Sequence, residues 1–235
     1  MLVNSIKKNS FSLFKKIMSY IAPDILELRK GDVTSILLVK MVNGKLILDA
    51  TRVNYSFGGL HLLFERVFQK IDLINFKPEK ILILGYGVGS VGHILRNDYG
   101  LQSHITAVEL DTVVIELGGR YFNTTLMENF RMYNMDAAEY VKSSREIFDL
   151  IIVDVFVESF VPESVRTQSF LEGLKTIMNT DALLIYNFML HDKKSRENFI
   201  ILENRLKGIF NELKTLHINE PGNDNHVMIA KKHLA

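Results

Sequence analysis

Apolar residues in this chain follow two rhythms, and the point where one gives way to the other divides it. From Lys80 onward, short, mostly apolar runs alternate with stretches of helical period, as buried parallel strands alternate with the helices that cover them. The runs are Ile81–Leu84, Ile105–Glu109, Phe130–Asn134, Phe148–Asp154 and Ala182–Asn187. Between them the spacing predicts helices through Ile94 and Leu95, over Thr112–Tyr121, Ala137–Ser143 and Glu163–Met178, and over Lys193–Phe210. The ending breaks the alternation. Leu213–Ile218, a turn group Pro221–Asn225 and His226–Ala230 read as a hairpin, so the last strand should run antiparallel to the rest. The expectation is an α/β fold: a doubly wound, mostly parallel seven-stranded sheet with a C-terminal antiparallel hairpin.

Before Lys80 the pattern differs. Residues 5–21 place Phe11, Phe14, Ile17, Met18 and Ile21 on one helical face, with Lys7, Lys8, Lys15 and Lys16 elsewhere. Such a helix suits packing on its own domain or on a second subunit, and a basic amphipathic helix also suits a membrane surface. Two β-rich runs, Thr34–Val42 and Lys45–Asp49, flank Asn43-Gly44, a pair that tolerates the positive φ of a type I′ turn. From Gly58-Gly59 a helix with a broad apolar face runs to Ile71. The expected division is therefore residues 1–57, an N-terminal helix and β-hairpin unit, and 58–235, the main α/β domain.

Chemistry gathers where the first core strand ends. The run Ile81–Leu84 breaks into Gly85, Gly87 and Gly89, and the neighbouring apolar strand ends in Glu109. Glycines admit close approach of a ligand to backbone, and a carboxylate at the adjacent strand tip accepts from ribose hydroxyls. A dinucleotide fingerprint would need its third glycine at position 90, which is Ser90. G-x-G-x-G instead suits an adenosyl cofactor without a pyrophosphate. Alone, the loop also reads as an ordinary strand-to-helix turn, and Glu109 with Asp111 as a charge pair at a helix N-terminus.

Composition narrows the classes. The chain has 235 residues with net charge +1, 47% hydrophobic and 23% charged, as expected of a soluble globular protein. No basic block suggests a nucleic-acid partner. The absence of cysteine removes disulfides, thiolate catalysis and zinc–thiolate sites. No apolar run reaches membrane-spanning length and no signal peptide is legible, so the expected location is the cytoplasm, with no membrane partner. The seven histidines, His61, His93, His104, His191, His217, His226 and His233, show no metal-ligand spacing with carboxylates, and no metal is expected.

From about Ser35 to Met189 the order of motifs resembles the spermidine synthase-like proteins of the S-adenosylmethionine-dependent methyltransferase superfamily. The matching pieces are Leu48-Asp49-Ala50, the glycine loop, Val108–Asp111, Asn134–Ala137, Phe148–Phe156 and the proline-containing Val161–Leu171. The resemblance implies a class I methyltransferase-like sheet and S-adenosylmethionine, or its decarboxylated form, as cofactor. It implies that Gly85, Gly87 and Gly89 face the cofactor's amino-acid portion and that Glu109 holds the ribose. Asp136 and the backbone N–H of Ala137 would meet the adenine, while Asp154 would sit where the activated carbon meets its acceptor. Asp136 also reads as the N-cap of the following helix, a compatible role. The resemblance further implies a homodimer assembled through the N-terminal region.

The departures bear on the reaction. The family holds and deprotonates its amine with carboxylates where this chain has Val88 and Val157, and its hairpin-to-helix polar set falls here on Val53, Gly58-Gly59 and Leu62. Glu158 stands one residue out of register. The expectation is methyl transfer to a small acceptor rather than spermidine synthesis, since a sulfonium is already activated and transfer is largely positioning. Two alternatives remain open: aminopropyl transfer with Asp154 and Glu158 as base and anchor, and a non-catalytic binding module.

Overall fold

The computed structural model describes residues 12–34, 36–50, 59–124, 128–220 and 223–233. Three strands, β1 (Asp24–Arg29), β2 (Leu37–Val42) and β3 (Lys45–Ala50), form a small antiparallel sheet. The β2–β3 turn is Asn43-Gly44 with φ of 49° and 74°, the positive pair that a type I′ turn requires. Strand β1 lay outside the sequence expectation. It is a half-exposed edge with Ile25 and Leu28 in solvent, so no clean alternation marked it.

The main sheet is built from β4 (Lys80–Leu84), β5 (His104–Glu109), β6 (Phe130–Asn134), β7 (Phe148–Val153), β8 (Met178–Leu190), β9 (Glu212–Glu220) and β10 (Asn223–Lys231). These seven strands lie in the order β6-β5-β4-β7-β8-β10-β9. Strand β10 runs antiparallel to both β8 and β9, as the terminal hairpin requires. Strands β4 to β8 are parallel along their shared ladders. From β4 the chain winds first toward β6 and later, through β7, toward the other edge. The crevice between β4 and β7 is thus the topological switch point where open α/β sheets bind ligands.

Continuous apolar strands follow from helices on both faces. Leu82, Leu84, Ile151 and Val153 pack with Phe170, Leu174, Leu202 and Leu206, whereas Ile81, Ile83, Leu150 and Ile152 pack with Phe64, Phe68, Ile94 and Leu95. The second set comes from α2 (Gly59–Lys70) and from α4 (Ser90–His93) with the π-turn that continues it over Ile94–Asp98. The first comes from α7 (Gln168–Thr176) and α8 (Lys193–Ile209), and Tyr140 and Val141 of α6 (Ala137–Ser143) join the same cluster. A third cluster, Leu37, Val39 and Leu48 against Val88, Val114 and Leu117, joins the small sheet to α5 (Thr112–Tyr121). A four-residue helix, α3 (Leu73–Phe76), leads into β4.

Three expectations need correction. The helix over Glu163–Met178 is a 3₁₀ turn (Ser164–Arg166) followed by α7, because Thr167 takes an extended conformation and caps α7 through the Phe170 N–H. Strand β8 exceeds Ala182–Asn187 at both ends, zipped by β10 from Leu183 to Leu190. The N-terminal helix is described only as α1 (Leu13–Met18), capped by Ser12. No residue of α1 is buried, and Leu13, Phe14, Ile17 and Ile21 stand in solvent, so this part of the helix does not pack on its own domain. Phe11 and the 57/58 boundary lie outside the described residues. Among the described residues no helix is long and apolar enough to cross a membrane.

Candidate functional site

The carboxyl ends of β4 to β8 converge on one cleft open to solvent. At its base Gly85 leaves β4 with φ of 80°, and a Cβ there would collide with the Asp154 carbonyl at the end of β7. Only glycine fits both the backbone angle and the approach. The N–H groups of Gly85 and Tyr86 donate to the Val108 carbonyl at 2.9 and 3.1 Å, which folds the loop over β5. Gly87 lines the cleft, and its N–H donates to Glu109 Oε2 at 2.8 Å. Gly89 is not among the lining residues: it precedes α4 with φ of 88° and packs on Tyr86 and Thr124.

Glu109 is more constrained than a strand-tip carboxylate reaching for ribose. Its Oε1 accepts from the N–H groups of Leu110 and Asp111 at 2.9 and 3.0 Å, in addition to the Gly87 bond at Oε2. A carboxylate offers about four lone-pair positions, so about one remains for a ligand. Burial pushes this carboxyl above its ordinary value, and the three N–H donors oppose that. The cap of α5 is Asp111 instead, whose Oδ1 accepts from Val113 and Val114 while Oδ2 accepts from Val33 and Thr34. One side chain thereby ties the small sheet's approach segment to the cleft wall.

Asp136 does cap α6, its Oδ1 accepting from Ala138 and Glu139 at 2.7 and 3.1 Å. Both Asp136 and Ala137 line the cleft at the end of β6. The cap uses one carboxylate oxygen and leaves Oδ2 for a ligand, so the capping and binding readings coexist.

Across the cleft, buried Asn187 and partly buried Asp154 pair, Asn187 Nδ2 donating to Asp154 Oδ1 at 2.9 Å. Burial raises the Asp154 carboxyl from 3.8 to about 6; the Asn187 bond opposes the rise and the Glu109 charge adds to it. Asn187 Oδ1 is buried with no hydrogen-bond partner. An orphaned acceptor of this kind costs about 1–3 kcal/mol, and a small turn of the side chain would present it to a donor in the cleft. Sequence reasoning missed Asn187, although a signal was present: it is a polar residue in the apolar run Leu183-Leu-Ile-Tyr-Asn-Phe188.

The acceptor side is otherwise mostly apolar, with Leu63, Val91, Phe156, Val157, Pro162 and Met189 among its walls and Asn225, the ladder partner of Met189, as a further polar residue. Val157 lines the cleft as expected. Val88 does not: it is fully buried in the cluster with Leu37, Leu48 and Leu117. The expectation that Val88 stands at the amine-binding position is corrected, because the loop turns this side chain away from the cleft. Leu62 is also outside the lining, and 45% exposed. Glu158 sits with φ of 53° in the tight turn between Val157 and Phe160, and is not among the lining residues. Val53 and Gly58 lie outside the described residues. His191-Asp192 does not border the cleft; Asp192 caps α8 through Ser195.

Folding also assembles groups that linear spacing concealed. His217, Asp224 and His226 come together on the β9–β10 ladder, and His61, Glu65 and Asp98 beside α2. The expectation that no histidine groups with carboxylates in metal-ligand fashion does not survive the register of that hairpin.

Comparison with known proteins gives the same architecture. A polyamine aminopropyltransferase of Vibrio vulnificus is 36% identical over 118 residues, 49% of this chain and 39% of that protein. The human eEF1A lysine and N-terminal methyltransferase is 25% identical over 174 residues, 69% of this chain and 24% of that protein. The chain thus matches well under half the length of these curated relatives. A spermidine synthase solved with a transition-state analogue superposes with a TM-score of 0.70 at 17% identity, covering 90% of this chain and 75% of that one. Human methyltransferase-like protein 13, solved with SAH, gives 0.62 at 22% identity, covering 76% and 86%. Residues 66–229 match the spermine/spermidine synthase domain, and since that is well over half its length, the chain belongs to the spermine/spermidine synthase domain family.

Proposed function

We propose that this chain binds S-adenosylmethionine or a related adenosyl cofactor and transfers a methyl group to a small acceptor bearing an N–H. The observation that carries the reading is the partly buried Asp154–Asn187 pair facing the glycine loop and Glu109 across one cleft. The residues present fit an adenosyl group. Asp136 Oδ2 and the Ala137 N–H lie together at the end of β6, an acceptor beside a donor that suits the edge of an adenine, and Glu109 keeps about one lone pair for a ribose hydroxyl. When bound, a sulfonium cofactor supplies the activated carbon. The protein's part is to hold the acceptor. Asn187 Oδ1 takes one N–H of the acceptor, and Asp154, near 6, takes the proton that a protonated amine must shed before its lone pair can attack. The apolar walls exclude water and strengthen these contacts.

Aminopropyl transfer is the second reading, favoured by family membership and by the names of the bacterial relatives. Against a diamine substrate stands the acceptor side of the cleft, where Asp154 is the only carboxylate among the described lining residues. Glu109, Asp111 and Asp136 lie on the cofactor side, and Glu158 is outside the lining. The test is to incubate the protein with decarboxylated S-adenosylmethionine and putrescine, and separately with S-adenosylmethionine and a panel of small amines. Mass spectrometry should find methylated amine and no spermidine. Spermidine at about one turnover per second, within the ordinary range for enzymes, would replace methyl transfer by the second reading.

Homodimerisation and a cytoplasmic location belong to the same proposal. The exposed apolar side chains of α1 and β1 support the first, since a second copy would cover them.

A further inference from the structure

We propose that His217, Asp224 and His226 form a binding site for a divalent transition metal of the zinc class on the β9–β10 hairpin. The two histidines are direct partners in the antiparallel ladder, so their side chains leave the sheet on one face. Asp224 precedes His226 by two residues and shares that face. The Nε2 atoms of His217 and His226 lie 2.5 and 3.3 Å from the same oxygen, Asp224 Oδ1. All three ligand atoms fall within 4.8 Å of one another. Zinc bonds of about 2.0–2.2 Å to nitrogen and oxygen place neighbouring tetrahedral ligands about 3.3 Å apart, so this set closes on an ion with small side-chain movement.

The surroundings hold the ligands in place. The His217 and His226 rings stack with centroids 4.6 Å apart, and Phe199 packs on His226 at 5.0 Å. Arg196 approaches Asp224 through the other oxygen, Oδ2, at 3.9 Å, leaving Oδ1 to the histidines. His217 is half exposed, which leaves a fourth coordination position open to water. Two imidazoles and one carboxylate favour zinc, nickel or copper over magnesium and calcium, which prefer all-oxygen sets. The group at His61, Glu65 and Asp98 offers only one nitrogen and is the weaker candidate.

The ion would staple an edge strand to its neighbour. Asn225, between two of the ligands in sequence, is buried and lines the cleft on the opposite face of β10. The metal would therefore brace the strand that forms part of the cleft wall.

The experiment uses untagged protein, stripped with chelator and titrated with zinc by calorimetry. One equivalent should bind with micromolar or tighter affinity and raise the melting temperature, while magnesium should do neither. Cobalt should give the visible bands of a low-symmetry, nitrogen-containing site. His217→Ala, at an exposed position, and Asp224→Asn should each weaken zinc at least about 100-fold, above the 10–100-fold typical of losing an outer-sphere partner. His61→Ala should leave binding unchanged. Absence of one-equivalent binding at submillimolar zinc, or wild-type affinity in His217→Ala, would overturn the assignment.

Discussion

Replacing Asp154 by asparagine should stabilise the ligand-free protein near neutral pH while abolishing turnover. The carboxyl is desolvated and its value rises from 3.8 to about 6, so the folded state disfavours the ionised form. At about 1.4 kcal/mol for each pKa unit, ionised Asp154 costs the fold about 3 kcal/mol. The sign follows from proton binding. Between 3.8 and about 6 the folded state holds more protons than the unfolded chain, so stability falls as pH rises through that window. Below it the penalty is absent, and above it the penalty is complete. The substituted amide keeps an oxygen for the Asn187 Nδ2 donor and carries no charge, so the penalty disappears. Urea unfolding of both proteins, without ligand, from about pH 4 to about pH 8 spans the window and measures the difference. The variant should match wild type at the acid end and gain up to about 3 kcal/mol at the alkaline end. A variant less stable at the alkaline end, or a difference that does not change with pH, would refute the account of Asp154 as a desolvated carboxylate that the Asn187 bond compensates only in part.

Other consequences concern the loop, the apolar replacements and assembly. Gly85→Ala should lose at least about 2 kcal/mol, because a Cβ meets the Asp154 carbonyl and φ is 80°; chemical denaturation measures the loss, and an unaffected variant would contradict the packing described. Val88→Asp should destabilise by about 3 kcal/mol or more, since it buries a charge among Leu37, Leu48 and Leu117, whereas Val157→Asp on the cleft wall should cost much less. Thermal melts of the two variants should differ clearly, and equal melting temperatures would contradict the placement of Val88. Light scattering at micromolar concentration should report a dimer; a species of 27.0 kDa would reject the proposed covering of α1 and β1.

The main sheet was legible because the central strands β4, β7 and β8 carry long apolar runs, and β6, the short edge strand with Arg131 in it, followed from the alternation of strands and helices. The helices Thr112–Tyr121 and Ala137–Ser143 were legible to the residue; Asp136 announces the second as its cap, whereas Asp111, read with Glu109 as a charge pair, proved to be the cap of the first. What escaped depended on contacts across the chain. Strand β1 is an exposed edge whose pattern no core enforces. The 3₁₀ turn before α7 is set by Thr167, which reads equally well as a helical residue. In the site, Glu109 and Asp154 stand at strand tips, the one property a linear pattern reports well. The direction of the Val88 side chain is fixed by the positive φ angles of Gly87 and Gly89, and substitution by alignment position alone misplaced it in the cleft. The histidine pair of the last hairpin required the exact register of β9 against β10, which a turn of unknown length leaves open.

Calorimetric titration of S-adenosylhomocysteine into wild type and Glu109→Ala is the most direct test of the central claim, that the cleft above the glycine loop is an adenosyl-cofactor site. Wild type should bind one equivalent. The variant should bind at least about tenfold more weakly, since a hydrogen bond to a charged acceptor is worth about 1.5–3 kcal/mol. No binding to the folded wild type, or the same affinity in both proteins, would contradict it.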